Sequence, residues 1–180
     1  TVLVQDTIPA LDTAAFIQIK QQLRPNFGIA AWYLRSCRNK AYTLTAAHDT
    51  HNDAATFTQL ANVLGIGAKR QLGAHTSLDL DYGQNRTAFG RYMNGHSLYN
   101  HERGTADFKL LGHVMGGGTP YFWVARLSIG QADPAVPGSW HAFADYKYFQ
   151  HGSVFGGNGT DALPDRYLDG IRSFTLGAGY

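Results

Sequence analysis

The chain has 180 residues, enough for one domain with a sizeable core, and its net charge of +2 gives no support to a nucleic-acid-binding function. Charged residues make up 16% of it, below the ~25% usual in soluble domains, whereas aromatic residues reach 13% and glycine occurs 21 times. This composition suits strands and turns more than helices, and it suits a surface that is not wholly in water. The single cysteine excludes a disulfide framework within the chain.

Alternation of apolar and polar side chains predicts strands, because successive side chains of a strand point to opposite faces. Residues 13–21 alternate in this way, and residues 42–47 alternate weakly. Residues 26–35 are apolar on both faces, which predicts either a buried strand or a strand at a contact between barrels. Residues 48–55 have the composition of a loop. The first part of the chain therefore favours short strands.

The middle of the chain mixes one ambiguous segment with one clear strand. Residues 57–70 could begin a helix, yet Gly65 and Gly67 argue against its continuation. Residues 74–83 alternate cleanly and place the carboxylates of Asp79 and Asp81 on the same face. We expect a strand for the second segment and leave the first open.

Two long stretches rich in polar residues and glycine follow, at residues 86–103 and 152–169. Between them we expect three strands, the first over residues 104–115 and the other two in a hairpin over residues 119–151. An odd number of strands would put the two long stretches at opposite ends of a sheet, whereas barrels group their long loops at one end. A strand hidden within residues 88–99 would restore the usual parity.

The hairpin has the clearest membrane-like pattern. Asp133-Pro134 and Pro137-Gly138 supply its turn, and in its second arm Trp140 and Tyr148 stand at the two ends of an apolar face. These rings are about 26 Å apart along a strand. Tilted by about 40°, they would lie ~20 Å apart along a membrane normal, near the ~25 Å band between the aromatic girdles of outer-membrane barrels. The predicted girdle aromatics are Tyr82, Tyr121, Trp123, Trp140, Tyr146, Tyr148 and Tyr180.

The final segment, residues 171–180, alternates and ends without a turn, so we expect a piece of a longer fold. No apolar run approaches the ~18 residues of a transmembrane helix, but barrel strands need only about 10 alternating residues each. The whole pattern predicts an all-β, antiparallel fold without a second domain.

Motifs for chemistry are weak throughout. Residues 79–83 resemble the start of a calcium loop but lack the later acidic ligands. Residues 48–53 contain two histidines without further ligands at zinc spacing, and Cys37 has no marked general base nearby. We therefore predict no catalytic residue, no metal site, no cofactor and no enzymatic activity.

The polar face of the strands carries the remaining candidates. In a soluble sandwich these residues would form the solvated outer surface, whereas in a large barrel they would face a water-filled lumen. On the second interpretation the pore-lining residues are Asp79, Asp81, Asp107, Lys109, His113, Arg126, Asp145 and Lys147.

Three stretches together resemble the S-layer-homology-linked outer-membrane porins (OmpM type) of diderm bacteria. They are DLDYGQN at residues 79–85, ADP…PGSWHAFADYKYF at residues 132–149 and DGIRSFTLGAGY at residues 169–180. In that family a GSW-x-A-x-x-x-Y-x-Y strand follows a turn, and a Y-D-G-x-x-x-x-x-L-G-A-x-Y strand comes later. The similarity covers the second half of the chain well, whereas the first half is similar only in its general strand pattern.

The resemblance implies a large homotrimeric β-barrel in the bacterial outer membrane. It also implies a separate module that binds peptidoglycan or the cell-wall layer, and neither that module nor a closing terminal strand is evident in the sequence. Residues 1–180 are then a partial porin barrel of eight to ten strands, about half of the ~16 of a general porin. The predicted function is passive diffusion of small hydrophilic solutes and ions, with Arg86, Arg91 and Arg103 in an inward-folded constriction loop.

Two other functions fit the same strands. A soluble jelly-roll module could bind glycans on exposed Trp and Tyr side chains, and a structural envelope protein would need neither pore nor ligand. Dependence on detergent separates the porin from both, and carbohydrate binding separates the two alternatives from each other.

Overall fold

The structure is a computed structural model that describes residues 11–39, 41–45, 54–95, 118–133, 135–150, 152–153 and 170–180. Within these residues the chain forms nine strands and one short helix. Their bounds are β1 Leu11–Arg24, β2 Phe27–Asn39, β3 Tyr42–Thr45, β4 Ala54–Phe57, β5 Asn62–Gly73, β6 Thr76–Asn85, α1 Ala88–Gly95, β7 Tyr121–Gly130, β8 His141–Gln150 and β9 Gly170–Gly179.

Seven of the described strands form one antiparallel sheet in the order β1-β2-β5-β6-β7-β8-β9, and β3 pairs with β4 in a separate hairpin inserted between β2 and β5. The sheet is a meander, since each strand pairs with the next sheet strand along the chain. Strands β1 and β9 form its two edges, so the sheet is open. The expectation of an all-β antiparallel fold is confirmed.

The connections differ at the two ends of the sheet. At the short-turn end, residues 25–26, 74–75 and 131–140 join β1 to β2, β5 to β6 and β7 to β8. At the opposite, long-connection end, residues 40–61, 86–120 and 151–169 join the remaining pairs. The long stretches therefore share one end, as they do in barrels.

This arrangement corrects the expected strand parity. β6 pairs directly with β7, so in the described sheet two strands, β7 and β8, separate the two long polar stretches. The strand suggested within residues 88–99 is wrong, because Ala88–Gly95 is a helix of about two turns. The strand predicted over residues 104–115 lies outside the described residues.

Alternation divides the side chains of the sheet between two faces. The face that we name outer carries exposed aliphatic and aromatic side chains, and there Tyr82 aligns with Ile66 on one side and Trp123 on the other. The opposite, inner face carries charged groups, and there Lys69 aligns with Asp79. A single register of the sheet therefore separates an apolar surface from a polar one.

The buried core lies on the inner side of the sheet at the long-connection end. Phe57 and residues 58–61, together with α1, cover this part of the inner face, and we name them the inner insert. Phe57 contacts Phe89 of the helix with ring centroids 5.5 Å apart. The buried apolar side chains among the described residues are Leu34, Phe57, Leu60, Ala61, Val63, Phe89 and Phe122.

The ambiguous segment over residues 57–70 resolves into the end of β4 and most of β5. Its two glycines lie where side chains of neighbouring strands need room. A Cβ on Gly65 would overlap the indole ring of Trp32, and one on Gly67 would come 2.6 Å from Asp81 Oδ1. These glycines therefore permit close packing on the inner face rather than ending a helix.

Candidate functional site

Charged side chains cross the inner face in a row of alternating sign. The register pairs Lys69 with Asp79, Asp79 with Arg126, and Arg126 with Asp145, on the four neighbouring strands β5 to β8. A second row, one step closer to the long-connection end, contains Asp81 and Lys147. Opposite charges on adjacent strands stabilise a sheet and also create a local field across its surface.

The charged groups are held by specific contacts. Lys69 Nζ lies 3.4 Å from Asp79 Oδ1, and Lys147 Nζ lies 3.4 Å from Asp145 Oδ1. The guanidinium carbon of Arg126 is 3.9 Å from the centroid of the Phe143 ring, which is a cation–π contact. Asp145 is buried, with 4% of its side chain exposed, so its neighbouring cation compensates a carboxylate that water barely reaches.

The structure therefore brings together five of the predicted pore-lining residues on one face: Asp79, Asp81, Arg126, Asp145 and Lys147. The same face also carries Lys20 and Lys69, which the sequence prediction did not include. Asp107, Lys109 and His113 lie outside the described residues.

Next to the charges, towards the long-connection end, aromatic rings form a row on the inner face. Phe149 stacks on Phe122 with centroids 5.1 Å apart, and Phe122 lies 6.1 Å from Trp32, which lies 6.2 Å from Phe16. Gly83 makes room for this row, because a Cβ there would come 2.6 Å from Phe122 and 3.3 Å from Trp32. The row separates the charged part of the inner face from the inner insert.

The outer face carries an aromatic cluster of five rings towards the long-connection end. Tyr82 and Tyr121 have centroids 5.9 Å apart, and Tyr121 and Tyr148 are 5.7 Å apart. Trp123 lies 4.9 Å from Tyr146 and 6.5 Å from Tyr148. All five belong to the predicted girdle, and the sheet brings them into one contact network.

The other two predicted girdle residues, Trp140 and Tyr180, lie at the short-turn end. They flank the aligned pair His141 and Gly179, and they are exposed by 51% and 96%. Tyr146 lies nearer the middle of the outer face than the rest of the cluster, in the same row as Leu80, Ala125 and Phe174. Small and aliphatic side chains occupy most of the outer face between the Tyr148 level and the Trp140 level: Leu80, Ala125, Leu127, Ile129, Ala142, Ala144, Leu176 and Ala178.

Asn85 fixes the inner insert to the sheet. Its side chain is fully buried, and Nδ2 donates to the carbonyl oxygens of Leu60 and Gly152 at 3.1 and 3.0 Å. Its Oδ1 accepts bonds from the backbone N–H groups of Asn62 and Thr87 and from the Thr87 hydroxyl. One side chain thereby joins all three connections at this end of the sheet.

The helix begins at a cap supplied by Thr87, whose Oγ1 accepts a bond from Gly90 N at 2.9 Å. Gly90 packs on the Asn85 side chain and on the carbonyl of Gly152, since a Cβ there would lie 3.1 Å from each. At the other end of the helix, Asn94 Nδ2 donates to Gly118 O at 3.0 Å. These contacts hold α1 over the inner face.

The predicted constriction residues Arg86 and Arg91 are both exposed, the first just before α1 and the second within it, and Arg91 Nη1 donates to Arg86 O at 3.3 Å. Arg103 lies outside the described residues. The sequence prediction did not include the helix at residues 88–95 or its contact with the Asn85 side chain.

Within the described ranges no three His, Cys, Asp or Glu side chains gather as metal ligands would. In the same part of the chain no helix is long and apolar enough to cross a membrane. Cys37 is exposed, and its thiol lies 3.7 Å from Arg35 O.

Comparison of the chain with protein-family models, with curated proteins and with solved structures finds no match.

Several residues of this site escaped the sequence prediction. Asn85 ends β6 and Ser36 lies near the end of β2, both on the inner face, and Ser36 Oγ accepts bonds from Leu60 N and Ala61 N. A small polar residue at the inner end of an alternating strand is the signal that could have marked both. The pairing of Trp32 with Gly65 depends on strand register, which alternation alone does not give.

Proposed function

We propose that this chain is part of an outer-membrane porin, in which small hydrophilic solutes and ions diffuse through a water-filled β-barrel. The observation that carries the proposal is the division of one meandering sheet into an apolar outer face and a charged inner face. Transmembrane barrels require this division, because alternate side chains meet lipid and lumen.

The outer face supports a lipid contact. Its aliphatic and aromatic side chains are widely exposed, for example Ile66 at 58%, Phe174 at 65% and Leu176 at 71%. Burying one side chain of this size stabilises a protein by about 1.5–3 kcal/mol. An exposed apolar surface as large as this outer face therefore indicates contact with a non-aqueous phase or with a partner. Aromatic rings at two levels with aliphatic residues between them fit the interfaces of a bilayer.

The inner face supports an aqueous pore. It carries four cations and three carboxylates with described side chains, which are Lys20, Lys69, Arg126, Lys147, Asp79, Asp81 and Asp145. The inner insert lies on this face near the long-connection end and would narrow a lumen there. The seven-stranded sheet is open, so a closed pore needs strands beyond those described.

The soluble glycan-binding module has less support. A β-sandwich buries the apolar face of one sheet against another. In the described part of the chain the outer face is exposed, and the other sheet present is the two-stranded β3–β4 hairpin. Exposed Trp123 and Trp140 would still suit a sugar platform, and this possibility is an outcome of the test below.

The test uses the full-length source protein purified in mild detergent. We expect a trimer whose gel mobility changes on boiling and which gives stepwise conductance in a planar bilayer. A protein that stays soluble without detergent and conducts no ions would contradict the proposal. Binding of that soluble protein to a carbohydrate array would then establish the glycan-binding alternative.

A further inference from the structure

A basic groove lies on the outer face at the short-turn end, away from the pore. It encloses about 370 Å³ and is lined by Leu23, Arg24, Asn26, Phe27 and Arg70. Sites for small molecules occupy about 300–1,000 Å³, so the groove can admit a polar headgroup. Its lining combines two apolar side chains with two guanidinium groups, whereas the other described arginines of the outer face, Arg35 and Arg172, lie towards the long-connection end.

A β-bulge turns Arg24 towards this groove. Up to Gln22 the even-numbered residues of β1 lie on the inner face, where Gln22 Oε1 would be 3.0 Å from a Cβ on Gly28. The register shifts between Gln22 and Arg24, so Arg24 pairs with the outer-face residue Phe27. Phe27 in turn pairs with Arg70. The extra residue of the bulge therefore places both arginines on the same face, on either side of Phe27.

The two positive charges have no anionic partner in the described part of the protein. The ion pairs found there join Lys69 to Asp79 and Lys147 to Asp145, on the inner face. No described carboxylate side chain lies on the outer face of the sheet. A ligand that complements two guanidinium groups on an apolar surface is therefore an anion covalently attached to an apolar group.

We propose that the groove binds the phosphate headgroup of an anionic membrane phospholipid. Arg24 and Arg70 donate hydrogen bonds to the phosphate oxygens, a geometry for which guanidinium groups are well suited. Leu23 and Phe27 contact the glycerol and the upper acyl chain. This inference rests on the proposed porin function, in which the short-turn end lies at the periplasmic headgroup level.

The structure favours a lipid over free phosphate because the same groove presents apolar side chains. Exposed Leu23 and Ile29 continue the apolar surface from the groove along the outer face. A free anion would gain nothing from these contacts, whereas a phospholipid would bury its chains against them. A phospholipid is therefore distinguished from a free phosphate by its acyl chains, which contact the apolar side chains of the groove.

The experiment measures lipid retention by native mass spectrometry of the full-length protein in detergent. The probes are phosphatidylglycerol, phosphatidylcholine and glycerophosphate, the last as a headgroup without acyl chains. We expect phosphatidylglycerol to bind best and its affinity to fall roughly thirtyfold in R24Q/R70Q and about fivefold in R70Q alone. R35Q is the matched control, since exposed Arg35 lies on the same face at the opposite end, and its lipid affinity should not change.

Three results would overturn the inference. Equal retention by wild type and R24Q/R70Q would show that the groove does not bind lipid, and equal affinity for glycerophosphate would show a free-phosphate site. Dissociation of the trimer in R24Q/R70Q with unchanged lipid affinity would show that a second copy of the chain covers the groove. Bilayer conductance of the same preparations separates these results from failure of the porin proposal, because both variants should conduct like the wild type.

Discussion

At the scale of single residues, Gly65 permits a large aromatic side chain to lie flat on the sheet. Trp32 is aligned with Gly65, and its indole ring occupies the space that a Cβ would need. The rings of Phe16 and Phe122 contact that indole on either side. A side chain at position 65 would therefore disturb the whole aromatic row and not one contact.

Replacing this glycine tests the packing directly. We expect Gly65→Ala to lower the free energy of unfolding by about 1–3 kcal/mol, the usual cost of overpacking. Gly73→Ala, in the same strand, is the control: the nearest atom to its Cβ would be Thr76 Oγ1 at 3.9 Å, so we expect a change within about 0.5 kcal/mol. Urea unfolding of the protein in lipid vesicles measures both, and equal effects would contradict the proposed role of Gly65.

The inner-face carboxylates make a separate prediction about ion selectivity. Asp79 and Asp81 contribute two of the three described negative charges on a face that also carries four cations. D79N/D81N should shift the permeability ratio towards anions by up to about fivefold, since a unit charge a few ångströms from an ion in water acts with about 1 kcal/mol. Reversal potentials across a salt gradient measure this shift. D133N, in the exposed β7–β8 connection, should leave the ratio unchanged, and an equal shift there would refute the assignment.

At the scale of elements, the short helix α1 depends on contacts with the rest of the fold, including the hydrogen-bonded Asn85 side chain, rather than on its own helical stability. A helix of eight residues is marginal in isolation, because its nucleation is unfavourable. Here the Thr87 cap, the Phe57–Phe89 ring contact and the Asn85 hydrogen bonds fix it on the sheet. If the proposed pore exists, α1 would then narrow it at a fixed position.

Removal of the Asn85 side chain should release this helix. Asn85→Ala removes the donor to the Gly152 carbonyl and leaves the Leu60 carbonyl with only the longer bond from the Thr87 hydroxyl, at 3.5 Å. An unsatisfied buried group costs about 1–3 kcal/mol. We expect proteolysis within residues 86–95 to accelerate and single-channel conductance to rise. Gln84→Ala, at the neighbouring outer-face position, is the control and should change neither readout. If Asn85→Ala were cleaved no faster than the wild type and its conductance were unchanged, other contacts would hold α1.

At the scale of the whole molecule, the environment of the outer face distinguishes a membrane barrel from a soluble sheet. Leu80 lies near the middle of that face, aligned with Ala68 and Ala125, and it is 44% exposed. Leu80→Lys should destabilise the protein in lipid by about 2–4 kcal/mol if the residue lies near the bilayer midplane. Ser77→Lys on the inner face should change stability little. Urea unfolding from vesicles measures the difference, and a neutral Leu80→Lys would favour the soluble interpretation.

The sequence predicts most of the sheet because alternation survives in nearly every strand. The faces of Asp79, Arg126, Trp123 and Tyr148 all follow from period-two spacing, and the structure places them as expected. The inner insert could not be predicted in this way. α1 carries Gly90 and aromatic residues that weaken its helical signal, and the partners of Asn85 come from three separate connections. Only the assembled sheet brings those partners together.

The meander of strands also has a consequence for how the protein folds. Three hairpins, β1–β2, β5–β6 and β7–β8, have connections of two, two and ten residues, so the entropic cost of closing them is lower than for the other pairings. The β2–β5, β6–β7 and β8–β9 pairings span longer separations and should form later. We expect pulse-labelling hydrogen exchange during refolding to protect amides within the three hairpins first. Folding would then resemble the docking of three preformed hairpins along their edges, with β9 added to β8 as the seventh strand.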